Sequence, residues 1–117
     1  MLLDFSISNY KCFAEEAHLS FVRPSLKTQV PRGGQSWADV TYQVAAVYGA
    51  NASGKSTLLE ALTRLSSSIA GSDARLFQPH ASQLEANEPT VYSANFTQGG
   101  VRYTYAVEAH PWGISRE

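Results

Sequence analysis

The residues most able to do chemistry lie close together, in the stretch VAAVYGANASGKSTLLEAL. Gly49, Gly54, Lys55 and Ser56 have the spacing G-x-x-x-x-G-K-[ST]. Glycines at those positions let successive backbone N–H groups turn inward around an anion. A helix that starts directly after them adds its N-terminal dipole and free N–H groups. Lys55 then reaches the β- and γ-phosphates of a nucleoside triphosphate, the Ser56 hydroxyl ligates Mg²⁺, and Thr57 donates toward the α-phosphate. The expected ligands are therefore a nucleoside triphosphate and Mg²⁺, held by Gly49, Asn51, Ala52, Ser53, Gly54, Lys55, Ser56 and Thr57, with Ser56 as the metal ligand.

Cutting the phosphate needs more. A second acid must hold the metal, usually at the end of a buried apolar strand, and another group must orient water. The nearest match is YTYAVEAH, ending at Glu108, but its alternation marks a half-exposed strand. The chain has no D-x-x-G and no N-K-x-D, so a guanine-specific site has no support. No catalytic residue is assigned.

The surrounding elements must hold this loop. LDFSIS alternates, with Leu3, Phe5 and Ile7 on one face, and AHLSF does the same with Ala17, Leu19 and Phe21. The two form an expected hairpin over 1–22. Prolines and glycines make 23–41 a long loop. QVAAVY is apolar without alternation, which predicts a strand covered on both faces in the parallel centre of a sheet. After the loop, Leu58, Ala61, Leu62 and Leu65 recur at helical spacing, with Glu60 and Arg64 paired on the outer side. Strand, phosphate loop and helix thus occupy 43–66. Residues 66–90 read as a loop. VYSANF and VRYTYAVEA form a second hairpin over 91–109 through the TQGG turn, with Val101, Tyr103, Tyr105 and Val107 lining a core face, and GISRE begins a further strand.

With 117 residues, the chain supports one core. A net charge of −1 gives no basic footprint for nucleic acid, so DNA is possible as a partner but not indicated by charge. The one cysteine, Cys12, excludes an intrachain disulfide and reads as a small buried filler. Tyr10 and Phe13 read as core. Trp37 and Trp112 fall in loops without an assigned role. No apolar run approaches the roughly 20 residues of a membrane helix, and the start of the chain is no signal peptide, so a cytoplasmic setting is expected.

Taken together, these residues resemble the N-terminal part of the RecF/SMC/OLD-like ATPases. Asn9-Tyr10-Lys11-Cys12-Phe13 is similar to that family's N-[FY]-[KR]-x-F stretch, and the loop to its G-x-N-x-[SG]-G-K-[ST], with Asn51 matching. The resemblance implies an α/β fold: a P-loop NTPase of the ABC/SMC-type head, its N-terminal portion, with a mixed β-sheet and one P-loop helix over 1–117, ending before Walker B. It implies ATP sandwiched in a homodimer of heads, the remainder of the same head as partner, service in DNA repair or phage defence, and Lys11 near the nucleotide. Small departures stand at Ala52, Thr57 and Tyr92, where glycine, asparagine and phenylalanine are common. Alternatives are an ABC-transporter nucleotide-binding domain, a small-molecule kinase and a non-catalytic nucleotide-binding remnant.

Overall fold

The computed structural model describes residues 1–28, 30–71 and 87–117. Its strands are β1 (Leu2–Ser8), β2 (Ala17–Ser20), β3 (Thr90–Gln98), β4 (Val101–His110) and β5 (Gly113–Arg116), with one helix, α1 (Lys55–Ile69), and a 3₁₀ turn at Trp37–Val40. Among the described residues the strands form one sheet in the order β2-β1-β3-β4-β5, and every pairing is antiparallel. The expected mixed sheet is corrected on this point.

Alternation places the core. Leu3, Phe5 and Ile7 of β1 are buried while their neighbours are half-exposed. Phe5 and Ile7 share a cluster with Tyr92 and Ala94 of β3, Val107 of β4, Tyr10, and Leu58, Ala61 and Leu65 of α1. The helix therefore lies on one face of the sheet, and its buried residues fall at the spacing that aligns them along one stripe. Leu3 faces a second cluster with Trp37 and Val40. The Trp37 indole N–H donates to the Gly100 carbonyl at 3.4 Å, and the Thr41 hydroxyl donates to the Trp37 carbonyl at 2.8 Å. Trp37 is thus a core anchor.

Four expectations change. Residues 43–48 form no strand: they have no ladder partner among the described residues, and Val44 and Tyr48 are 83% and 93% exposed. An apolar run becomes a central strand only where neighbours pair both its edges, and no described strand pairs with either edge of this one. The core face of β4 reaches only part of the strand. Val107 is buried, but Val101 and Tyr103 near the hairpin tip are exposed, and Tyr103 stacks on Phe96 at 5.6 Å. The helix runs on to Ile69, into the region read as a loop, of which 72–86 lies outside the described residues. Cys12 is exposed.

Tyr10 and Tyr92 meet edge-to-face at 5.9 Å beneath the helix. Burial pushes the Tyr10 phenol up to about 12, and burial, then Tyr10 itself, pushes Tyr92 higher still. The core accepts the neutral phenols, so their contribution to stability is complete below the ordinary value of 10.0. As pH rises from there through about 12, the unfolded chain releases these protons first and the fold weakens. Alkaline unfolding followed by circular dichroism should coincide with a late rise in tyrosinate absorbance, and Tyr92→Phe should reduce the slope of stability against pH in that range. An unchanged slope would show that Tyr92 does not govern the transition.

Candidate functional site

The loop leaves Gly49, turns at Ala50–Ser53 through a Ser53 N–H to Ala50 carbonyl bond of 3.3 Å, and enters α1 at Gly54. Gly54 is the N-cap residue, with φ +87° and ψ +5° and no side chain to cap the first turn. The helix's first N–H groups therefore have no intrahelical partner. No acidic residue sits in that turn to offset the dipole.

The glycines serve different ends. Gly54 needs a left-handed φ, and a Cβ there would stand 2.6 Å from the Phe13 ring and 3.1 Å from the Cys12 sulfur. Gly49 has no such φ. A Cβ there would meet the Ser53 hydroxyl at 2.9 Å, so that side chain would have to turn away. Ala52 also takes a left-handed φ, +63°, which is unfavourable for a residue with a side chain. Ala52→Gly is expected to raise stability by about 0.5–1 kcal/mol, the relief of that strain less the added freedom of glycine in the unfolded chain. A urea midpoint that moved down would show that the loop relaxes around Ala52 without strain.

Lys55 folds back over the loop. Its ammonium donates to the carbonyls of Gly49 at 2.8 Å and Ala50 at 2.5 Å and to the Ser53 hydroxyl at 3.3 Å. Residues 51–57 together with Cys12 line an open pocket of about 400 Å³. The pocket thus gathers Asn51, Ala52, Ser53, Gly54, Lys55, Ser56 and Thr57 from the expected set. Gly49 sits behind it, on a smaller opening of about 270 Å³ with Tyr48 and Phe13.

Lys11 lines neither opening. Its ammonium lies 2.6 and 2.8 Å from the two carboxylate oxygens of Glu60 on α1. That carboxylate also accepts from the Arg64 guanidinium at 3.0 and 3.1 Å. The hydrogen bond from Lys11 is the main cause that holds the Glu60 carboxyl below its ordinary range. Glu108 lies on β4, where Ser115 donates to it at 3.2 Å.

Phe13 and Cys12 as walls of the loop, and Glu60 as the partner of Lys11, were not readable from local pattern. The latter pair is separated by 49 residues of chain.

The pocket fits a phosphate group by its donors. The Asn51 amide, the hydroxyls of Ser53, Ser56 and Thr57, the Lys55 ammonium and the helix N-terminus surround it, and its lining includes no carboxylate. No group of three or more His, Cys, Asp or Glu that could hold a metal occurs among the described residues. A Mg²⁺ ion here would rest on the Ser56 hydroxyl and on the phosphates it accompanies. No helix among the described residues is long and apolar enough to cross a membrane.

Residues 44–114 match the family model described as "AAA domain, putative AbiEii toxin, Type IV TA system". Comparison with curated proteins gave no match, and comparison with solved structures gave none. The matched span is more than half of the chain and takes in the whole loop and α1. On that match the protein belongs to this AAA-domain family and contains its nucleotide-binding, ATPase-like module.

Proposed function

We propose that the chain binds ATP with Mg²⁺ through residues 49–57, as the phosphate-loop half of a RecF/SMC/OLD-like ATPase head. The observation that carries this reading is the anion-suited pocket at the start of α1, with Lys55 folded across it. Backbone N–H groups at the helix start and the Lys55 ammonium would share the phosphate charge. Before that, Lys55 must exchange its bonds to the Gly49 and Ala50 carbonyls for phosphate oxygens. Ser56 would orient the metal, and Thr57 would fix the inner phosphate. Bound Mg²⁺ would supply neutralisation of the phosphate charge.

In this reading the remainder of the head, and a second head, complete the site. The setting in this reading is DNA repair or phage defence. The chain by itself is expected to release no phosphate above background, since no acid is evident to hold metal and water. Calorimetric titration with Mg-ATP, Mg-GTP and inorganic phosphate tests the proposal. Saturable binding of Mg-ATP, with phosphate alone far weaker, is the expected result. No heat with Mg-ATP would overturn it. Steady phosphate release that vanishes in Lys55→Ala would show that a catalytic acid is present after all.

A further inference from the structure

We propose that Glu60 is a positioning residue for the phosphate loop: by gripping Lys11 it holds the Asn9–Phe13 turn against Gly54. The inference rests on the nucleotide-binding reading, and its test separates the two.

The turn is tightly built. Tyr10 and Phe13 exchange backbone hydrogen bonds of 2.8 Å in both directions, and Asn9 and Lys11 hold left-handed φ values of +49° and +50°. Its near end is fastened to the start of β3. The Asn9 amide donates to the Glu88 carbonyl at 2.7 Å, and the Thr90 hydroxyl donates to the Asn9 carbonyl at 2.8 Å. At its middle, Lys11 reaches the helix and meets both Glu60 oxygens. Arg64 holds that same carboxylate from one helical turn further on, so Glu60 is itself oriented.

Just past the Lys11 fastening, Cys12 and Phe13 lie close against Gly54, the residue where loop becomes helix. Any shift of the turn therefore moves a wall of the phosphate pocket. The Lys11–Glu60 pair is partly exposed, at 40% and 37%, and pairs of this kind add little to global stability. What it can do is set where the turn rests.

The full chain offers its own reporter. Cys12 is its one cysteine, is exposed, and lines the pocket. Four variants are compared with the parent: Glu60→Gln, Lys11→Met, Lys11→Arg, and the double Lys11→Met/Glu60→Gln. Each is measured for Mg-ATP affinity by calorimetry and for the rate of Cys12 alkylation by iodoacetamide. Glu60→Gln and Lys11→Met should each weaken Mg-ATP about two- to five-fold and speed alkylation by a similar factor, with the urea midpoint little moved. The double variant should be no worse than either single, and Lys11→Arg should retain parental behaviour. Parent-like affinity and alkylation in Glu60→Gln would overturn the proposal, as would additive effects in the double variant. If the parent binds no Mg-ATP, the nucleotide reading falls. The alkylation rates then judge the clamp alone: faster and non-additive upholds it, unchanged refutes it.

Discussion

Lys55→Ala is expected to weaken Mg-ATP binding by about one to two orders of magnitude, the worth of one charge-assisted contact at roughly 1.5–3 kcal/mol. Two effects contribute. The first is loss of the cation that faces the outer phosphates. The second is local: the Lys55 ammonium also ties together the Gly49 and Ala50 carbonyls and the Ser53 hydroxyl, so the variant unties the loop it belongs to. Lys55→Met does not separate them, since it keeps most of the stem but loses both the charge and the ties. Lys55→Arg keeps a cation that is broader and differently directed, and should restore some affinity without full recovery. The fold should survive all three, because Lys55 is the first residue of α1 and its ammonium bonds to the loop and not to the buried Leu58, Ala61 and Leu65. Equal Mg-ATP affinity in Lys55→Ala and parent, with both folded, would remove the loop from nucleotide binding altogether.

What the sequence made legible follows from how far each signal reaches. Period-two alternation is a property of a few adjacent residues, and the Leu3, Phe5 and Ile7 face it predicts is the buried face of β1. Helical spacing is similarly local, and Leu58, Ala61 and Leu65 are buried as expected. Burial that depends on distant partners was not legible. Trp37 sits in a stretch rich in glycine and proline, yet it is held by Leu3 and by the carbonyl of Gly100, 63 residues away. Cys12 has the chemistry of a core residue, but a two-residue turn closed by Tyr10 and Phe13 directs it outward.

The 43–48 segment shows the limit from the other side. Its composition fits a doubly covered strand, but composition cannot supply neighbours, and among the described residues none pairs with it. The phosphate loop lies between these cases. Its spacing identified the pocket-lining residues, while the surfaces that hold it, Phe13 and Cys12, come from a turn some forty residues earlier in the chain.

That dependence makes Gly54→Ala the second large effect. A side chain at φ +87° costs about 1–2 kcal/mol in backbone strain. Crowding adds about 1–3 kcal/mol where neighbours cannot move, and the Phe13 ring at 2.6 Å and the Cys12 sulfur at 3.1 Å stand in the way. The sum is about 2–5 kcal/mol, a large share of the stability of a domain this size, with weaker Mg-ATP binding in whatever remains folded. The two parts are separable. Phe13→Ala in the same chain removes the ring that the new methyl group strikes but leaves φ unchanged. The double variant should therefore regain the crowding part and keep the strain. In a double-mutant cycle Phe13→Ala should cost clearly less in the Gly54→Ala background than in the parent. Full recovery would mean that the backbone conformation carries no strain. Strict additivity would mean that Phe13 and Gly54 do not touch in solution, and the Asn9–Phe13 turn could then no longer be the support of the loop.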